Sequence, residues 1–204
     1  MKIFERCMLT GFIITVLLNL TVFSAKCENI SDKVLRLHIL ANSDSEEDQA
    51  LKLKVRDAVL KKTSDLFLSA NNKREAKNLS IESLDNIKQI AKDELILNGC
   101  SYDVDVEITN MHFNTRRYGN VTLPAGNYDA IRILIGKAKG HNWWCVMFPA
   151  MCVPAAQDSR KLSDVLTASE VEVAEGTSDY EMGFKVVEYF EKLRYFLGEL
   201  CKVN

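Results

Sequence analysis

Hydrophobic and polar positions along this chain change period several times, and each change marks an element. Residues 7–23 carry no charge, a run of 17 positions, and charge resumes only at Lys26. Beyond it, Leu35, Leu37 and Ile39 alternate with Arg36 and His38, the period of two expected of a strand. Ser43-Asp44-Ser45-Glu46-Glu47-Asp48 then supplies hydroxyls that can cap and acids that complement the positive N-terminal end of a helix. A helix is predicted from near Ser45, with Leu51, Val55, Ala58 and Val59 on one face and Lys52, Lys54, Arg56 and Lys61 elsewhere, fading near Leu68. After the polar pair Asn71-Asn72, Ser80 reads as the N-cap of a second helix, whose stripe Ile81, Leu84, Ile87, Ile90, Ala91, Leu95 ends before Gly99.

Strands follow. Tyr102, Val104, Val106 and Ile108 alternate with Asp103, Asp105, Glu107 and Thr109, so the acidic side faces water. Segments 112–123 and 128–135 are predicted to form a hairpin through the turn residues Pro124-Ala125-Gly126-Asn127, and 143–148 is an apolar fifth strand. Because the strands cluster after the helices, the expected class is α+β: a mainly antiparallel sheet with helices packed on one face. A linker over 149–161 leads to a C-terminal amphipathic helix, in which Met182, Val186, Tyr189, Leu193, Phe196 and Leu200 recur at spacings of three and four, with Phe190 and Leu197 widening the stripe. Such a stripe needs a surface, either the domain's own sheet or another protein.

The uncharged run at the N-terminus follows Lys2 and Arg6, and Val22, Ser24 and Ala25 offer a cleavage site: residues 1–25 read as a signal peptide or an N-terminal anchor. Lys26 directly before Cys27 argues against a lipoprotein signal. The rest, about 180 residues, suffices for one domain. Formal charge is -2, and -3 without Lys2, Glu5 and Arg6, so no basic surface invites nucleic acid. Of six cysteines, five remain beyond Cys7; Cys145 and Cys152 are the nearest pair for a disulfide, with free buried thiols as the alternative.

Candidate chemistry is sparse. His141 lies four residues from Cys145, as an exported thiol hydrolase would need, but on a strand that spacing separates them by about 13 Å. A zinc-binding structural module could draw on His38, His112, His141, Cys145 and Cys152, yet no CxxC, HExxH or His-x-His spacing occurs and no metal or other cofactor is expected. Asp44, Glu46, Glu47 and Asp48 lack the glycine and final acid of a calcium loop, and 136–140 lacks the ending of a phosphate loop. A protein contact surface is what remains, and of the adjacent Trp143 and Trp144 one must face each side of its strand.

Long ordered blocks carry a resemblance. Arg36-Leu37-His38-Ile39-Leu40-Ala41-Asn42-Ser43-Asp44-Ser45, Asp48-Gln49-Ala50-Leu51-Lys52 and Val55-Arg56-Asp57, with Leu123-Pro124-Ala125-Gly126-Asn127-Tyr128 and Gly140-His141-Asn142-Trp143-Trp144-Cys145-Val146-Met147-Phe148-Pro149, resemble the stage II sporulation protein R family. The resemblance implies a core domain over 31–153, with 154–204 a linker and helical extension. It also implies a signal made in the forespore and exported into the space between forespore and mother cell, where it activates a membrane-embedded aspartic protease of the mother cell, stage II sporulation protein GA, to process pro-sigma-E. It implies an activator that acts by binding, with no catalytic residues to carry over. The matching blocks offer Asn42, Asp44, Asp48, Gln49, Lys52, Arg56, Asn142 and Trp143 as partner-binding candidates.

Overall fold

The computed structural model describes residues 2–152, 162–176, 180 and 182–192. The uncharged run forms one long helix, α1 (Lys2–Lys33), which continues past Ala25 without a break. Strand β1 (Leu35–Leu40) follows, then four helices: α2 (Glu46–Lys62), α3 (Ser64–Ser69), α4 (Lys73–Glu82) and α5 (Leu84–Leu97). The remaining strands are β2 (Val104–Phe113), β3 (Arg116–Tyr118), β4 (Val121–Leu123), β5 (Gly126–Ile135) and β6 (Asn142–Phe148), and helix α6 is Ala168–Glu175. Residues 182–192 are helical.

Contacts divide the chain into two compact units. One comprises Asp32–His112 and Asn127–Thr167; the other comprises Met1–Ser31, Phe113–Gly126 and the described part of Ala168–Asn204.

The first unit is α+β, built on a four-stranded sheet of order β2-β5-β1-β6. β1 runs antiparallel to β6 and parallel to β5. Gly136 N to Asp103 O, Arg132 to Glu107 and Asn110 to Asp129 pair rising with falling numbers, so β2 and β5 are antiparallel too. The sheet is therefore mostly antiparallel, and its one parallel pair needs the long helical connection that separates β1 from β5. Leu35, Leu37 and Ile39 of β1, Ile131, Ile133 and Ile135 of β5, and Met147 of β6 share one core with Val55 and Val59 of α2 and Ile87, Ala91 and Leu95 of α5. Each of the Val, Leu, Ile and Met side chains among them contributes about 1.5–3 kcal/mol on burial. A one-residue slip of β1 would turn Arg36 and His38 into that core, which is why the register is specified.

Three expectations change at the level of local chemistry. The second predicted helix is two, α4 and α5: Asn72 caps α4 by accepting from Glu75 N at 2.9 Å, while Ser80 is buried inside it and donates back to Ala76 O at 2.7 Å. The first predicted helix ends at Lys62, with α3 following as a separate turn. The predicted hairpin through 124–127 is not the pairing that forms: β4 pairs with β3 in a two-stranded sheet and β5 with β2 and β1. Gly119, at φ 61°, adopts the left-handed conformation that closes β3 onto β4 at low cost, so the chain reverses there.

In the second unit α6 packs on β4, whose three residues are all buried, with Val173 and Ala174 buried on the helix. Phe23 of α1 stacks on Tyr180 with ring centroids 5.7 Å apart and meets Phe184 edge-on at 5.5 Å. Gly183 permits this approach, since a Cβ there would come within 2.9 Å of the Phe23 ring. The helix over 182–192 accordingly buries Phe184 and Val187 and leaves Met182, Val186, Tyr189 and Phe190 exposed. The stripe read from the sequence is thus not the buried face of this helix; Leu193, Phe196, Leu197 and Leu200 lie outside the described residues.

Candidate functional site

Where β1 ends, Ala41-Asn42-Ser43-Asp44 leaves the sheet and Ser45 starts α2, its hydroxyl accepting from Asp48 N at 3.2 Å. The connection from β5 to β6 closes over this turn. Gly140 N donates to Ala41 O at 2.9 Å, Lys139 N to Asn42 O at 3.2 Å and Lys137 N to the Asn42 side-chain oxygen at 2.9 Å. Two glycines make the closure sterically possible. A Cβ on Gly140 would overlap the Ser43 carbonyl, its carbon at 2.5 Å, and one on Gly136, at φ 57°, would overlap the Asn42 amide.

Side chains knit the two segments into a polar knot. Asp48, buried at the first turn of α2, accepts from Asn42 Nδ2 at 2.8 Å and from Ser43 Oγ at 2.5 Å. Gln49 donates to Ser43 O at 2.8 Å and accepts from Lys52 Nζ at 2.5 Å. Lys52 reaches across to donate to the carbonyl of His141 at 2.9 Å. Asp44 accepts from His141 N at 2.5 Å, and the His141 ring nitrogen Nδ1 sits against the same carboxylate oxygen. One turn along α2 from Lys52, the Arg56 guanidinium lies 4.3 Å over the ring of Trp143 and is held by Asp57 at 2.7 Å. Asn142 is exposed at the start of β6, opposite Leu40.

Charge follows this geometry. The backbone amide of His141, donating to Asp44, holds that carboxyl below its usual range. The Ser43 hydroxyl does most to lower Asp48, outweighing its partial desolvation, and the Asp48 charge in turn raises the nearby Tyr102 phenol. Burial lowers the Lys52 ammonium, an effect that the Asp44 charge opposes. Beside the knot, a 570 Å³ depression is lined by Glu47, Asp48, Leu51, Lys54, Cys100 and Tyr102 among others.

Asn42, Asp44, Asp48, Gln49 and Lys52 thus meet in one network, with Arg56 and Trp143 as its continuation and Asn142 beside it. Ser43, Tyr102, Gly136 and Gly140 are not among the contact residues expected from the sequence, and His141 is expected there only as a thiol's partner or a zinc ligand. The two glycines four residues apart in the short stretch before His141 are the signal that a close backbone approach is required there.

The sheet separates the groups that thiol chemistry would need. Cys145 pairs with Leu37 and faces the helices, whereas the neighbouring pair, His38 with Trp144, faces the other side, their rings stacked at 4.0 Å. Burial first, and the charges of Arg132 and Arg36 second, lower His38 to about 4. The sulfur of Cys145 is bonded to Cys152, with the two Cα atoms 6.3 Å apart. Among the described residues, no three His, Cys, Asp or Glu side chains converge as a metal site would require.

Comparison with known proteins gives two findings. Residues 31–158 match the family model described as stage II sporulation protein R. Stage II sporulation protein R of Bacillus subtilis (strain 168) is 42% identical over 123 residues, which is 60% of this chain and 55% of the relative. The match thus spans about half the length of that curated relative. No solved structure matches.

Proposed function

The chain belongs to the stage II sporulation protein R family, and from that premise we propose that it is an exported sporulation signal that activates the membrane-embedded aspartic protease of the mother cell, stage II sporulation protein GA, to process pro-sigma-E. It acts by binding and carries out no chemistry itself. The polar knot is the observation that supports this reading. Its inner groups, Asn42, Ser43, Asp48 and Lys52, hold two chain segments in fixed positions, while Asp44, His141 and Asn142 present polar groups outward and Arg56 with Trp143 adds a cation–aromatic edge. A surface ordered before binding loses little conformational entropy on association. Arg and Trp are the side chains most often found at the energetic centre of such contacts. The protease is activated if its active arrangement binds this surface more tightly than the resting one, since a ligand shifts an equilibrium only through differential affinity.

The N-terminal helix takes the chain through the forespore membrane and stays as its anchor. Ile3–Lys33 is long and apolar enough to cross a membrane. A cut after Ser24 or Ala25 would sever Phe23 from the chain that carries its packing partners Tyr180 and Phe184, and the helix runs through that site without interruption.

Co-production of the chain with the protease and pro-sigma-E in non-sporulating cells tests this function. Asn142→Ala and Asp44→Ala with His141→Ala should leave the exported chain folded and reduce processing; Cys145→Ser with Cys152→Ser should retain processing wherever the chain accumulates normally. Full processing by the knot variants would refute the assigned surface, and loss of processing by a well-folded Cys145→Ser chain would refute action by binding alone.

A further inference from the structure

We propose that the helix over residues 182–192 lies on the surface of the bilayer that α1 crosses, with Met182, Val186, Tyr189 and Phe190 in the acyl boundary. This rests on α1 remaining in the membrane as an anchor.

This helix has two apolar faces and its own unit covers one. At about 100° per residue, Met182, Val186, Tyr189 and Phe190 fall within an arc of about 100°, the width of an apolar stripe that ordinarily packs. They are 78%, 41%, 74% and 56% exposed, whereas Phe184 and Val187, on the far side, are each 4% exposed. Lys185, Glu188 and Lys192 lie along one margin of the exposed stripe, with Lys192 paired to Glu188 at 2.8 Å. An apolar stripe bordered by charged side chains is the pattern of a helix lying in the plane of a membrane interface.

The place of this helix relative to α1 says what covers the stripe. Its start is seated on Phe23: Tyr180 and Phe184 pack on that ring, and Gly183 admits it. Phe23 also ends the apolar run 7–23, with only the small, uncharged Ser24 and Ala25 between it and Lys26. That run is about 25 Å long as a helix, slightly shorter than the ~30 Å hydrocarbon core. Phe23 is therefore at the boundary of the bilayer when α1 spans it. Apart from the half-buried Leu20, the large apolar side chains from Ile3 to Val22 are exposed, as lipid-facing residues would be. A helix of 11 residues is about 16 Å long, so every residue from Met182 to Lys192 is within that distance of the boundary, measured along the helix from the Phe23 contact. Tyr180 and Tyr189 then stand at the level where membrane proteins concentrate Tyr and Trp.

The experiment uses the full chain in nanodiscs of phosphatidylethanolamine and phosphatidylglycerol, with a nitroxide amino acid introduced singly at Met182, Lys185, Val186, Phe190 or Lys192, so that the cysteines stay native. Power saturation compares collision with oxygen, which partitions into lipid, and with a water-soluble nickel chelate. The oxygen-to-nickel ratio should be several-fold higher at 182, 186 and 190 than at 185 and 192. Equal ratios at all five positions would overturn the proposal, and so would dipolar broadening between labels at 186 on different chains, which would mean that a second copy covers the stripe. The mass of the chain recovered from exporting cells separates the two readings. Loss of the first 24 or 25 residues overturns the anchor and this arrangement with it, whereas an intact mass with equal ratios overturns the surface-lying helix alone.

Discussion

Replacing Asp48 by alanine tests whether the knot is a stabilising network. The Asp48 carboxylate is the acceptor for both Asn42 Nδ2 and Ser43 Oγ, and Asn42 in turn receives Lys137 N, so its removal frees two donors and loosens the loop that closes over β1. Hydrogen bonds to a charged acceptor are worth about 1.5–3 kcal/mol each. Water can reach these part-buried donors and recover some of the loss, so the expected cost is about 2–4 kcal/mol, including a few tenths from losing a negative charge at the start of α2. Glu47→Ala is the control: it sits at the same helix end, but its side chain is exposed, and about 0.5 kcal/mol is expected. Urea titration of the full chain in detergent micelles, read from Trp143 and Trp144 fluorescence, measures both. With a slope near 2 kcal/mol/M, Asp48→Ala should lower the midpoint by about 1–2 M and Glu47→Ala by about 0.3 M. Equal shifts would mean that only helix-end charge matters and that the network contributes nothing. Acid adds a second readout. The Asp48 pKa is depressed in the fold, so its contribution is complete above the unfolded value near 4 and is lost as pH falls from there through the folded value. Asp48→Asn should lack that part of the acid limb, while Asp44 and Asp129, also depressed, keep theirs.

Other expectations follow from the same geometry. His38, lowered to about 4 by burial, stays neutral in the fold while the unfolded chain takes up a proton below about 6.5; stability should therefore fall by roughly 1 kcal/mol per pH unit from there to about 4, and His38→Gln should flatten the slope in a denaturation series. Gly140→Ala, which drives a methyl group into the Ser43 carbonyl, should cost about 3 kcal/mol by urea titration, whereas Gly99→Ala, whose Cβ meets open space at φ 73°, should cost only about 1 kcal/mol. Opening the Cys145–Cys152 bridge, seven residues apart, by double serine substitution should lower stability by about 2.5 kcal/mol from loop-closure entropy, which the urea midpoint with and without reductant would show. Arg56→Ala should cost about 0.5–1 kcal/mol through its stacking on Trp143, and restoring the charge as Arg56→Lys should recover less than half of the loss, because the planar guanidinium provides the stacking.

Local pattern determined much of this protein. The alternation in Leu35, Leu37 and Ile39, the caps and acids before α2, and the apolar face of α5 belong to single elements, and the free energy that selects them comes from short-range preference and from which side is apolar. Of the contact candidates that the family resemblance offers, five meet for a related reason. Asn42, Asp44, Asp48, Gln49 and Lys52 lie within eleven residues of chain, so a turn followed by a helix start must bring them together. Tertiary structure decided what no local pattern contains. Which strand lies beside β1 depends on closing a connection across four helices, and the hairpin at Gly119 competes with the turn at 124–127 on terms set by the partners each strand finds. The role of His141 also waits on the fold, because it rests on a backbone approach 97 residues away in sequence that only Gly136 and Gly140 allow. For the C-terminal helix, periodicity showed an apolar stripe, but Phe23 packing on Tyr180 and Phe184 decided that the other face is the one this chain buries. A helix's sequence states which side is apolar; the surface it docks on is supplied by residues far away in the chain.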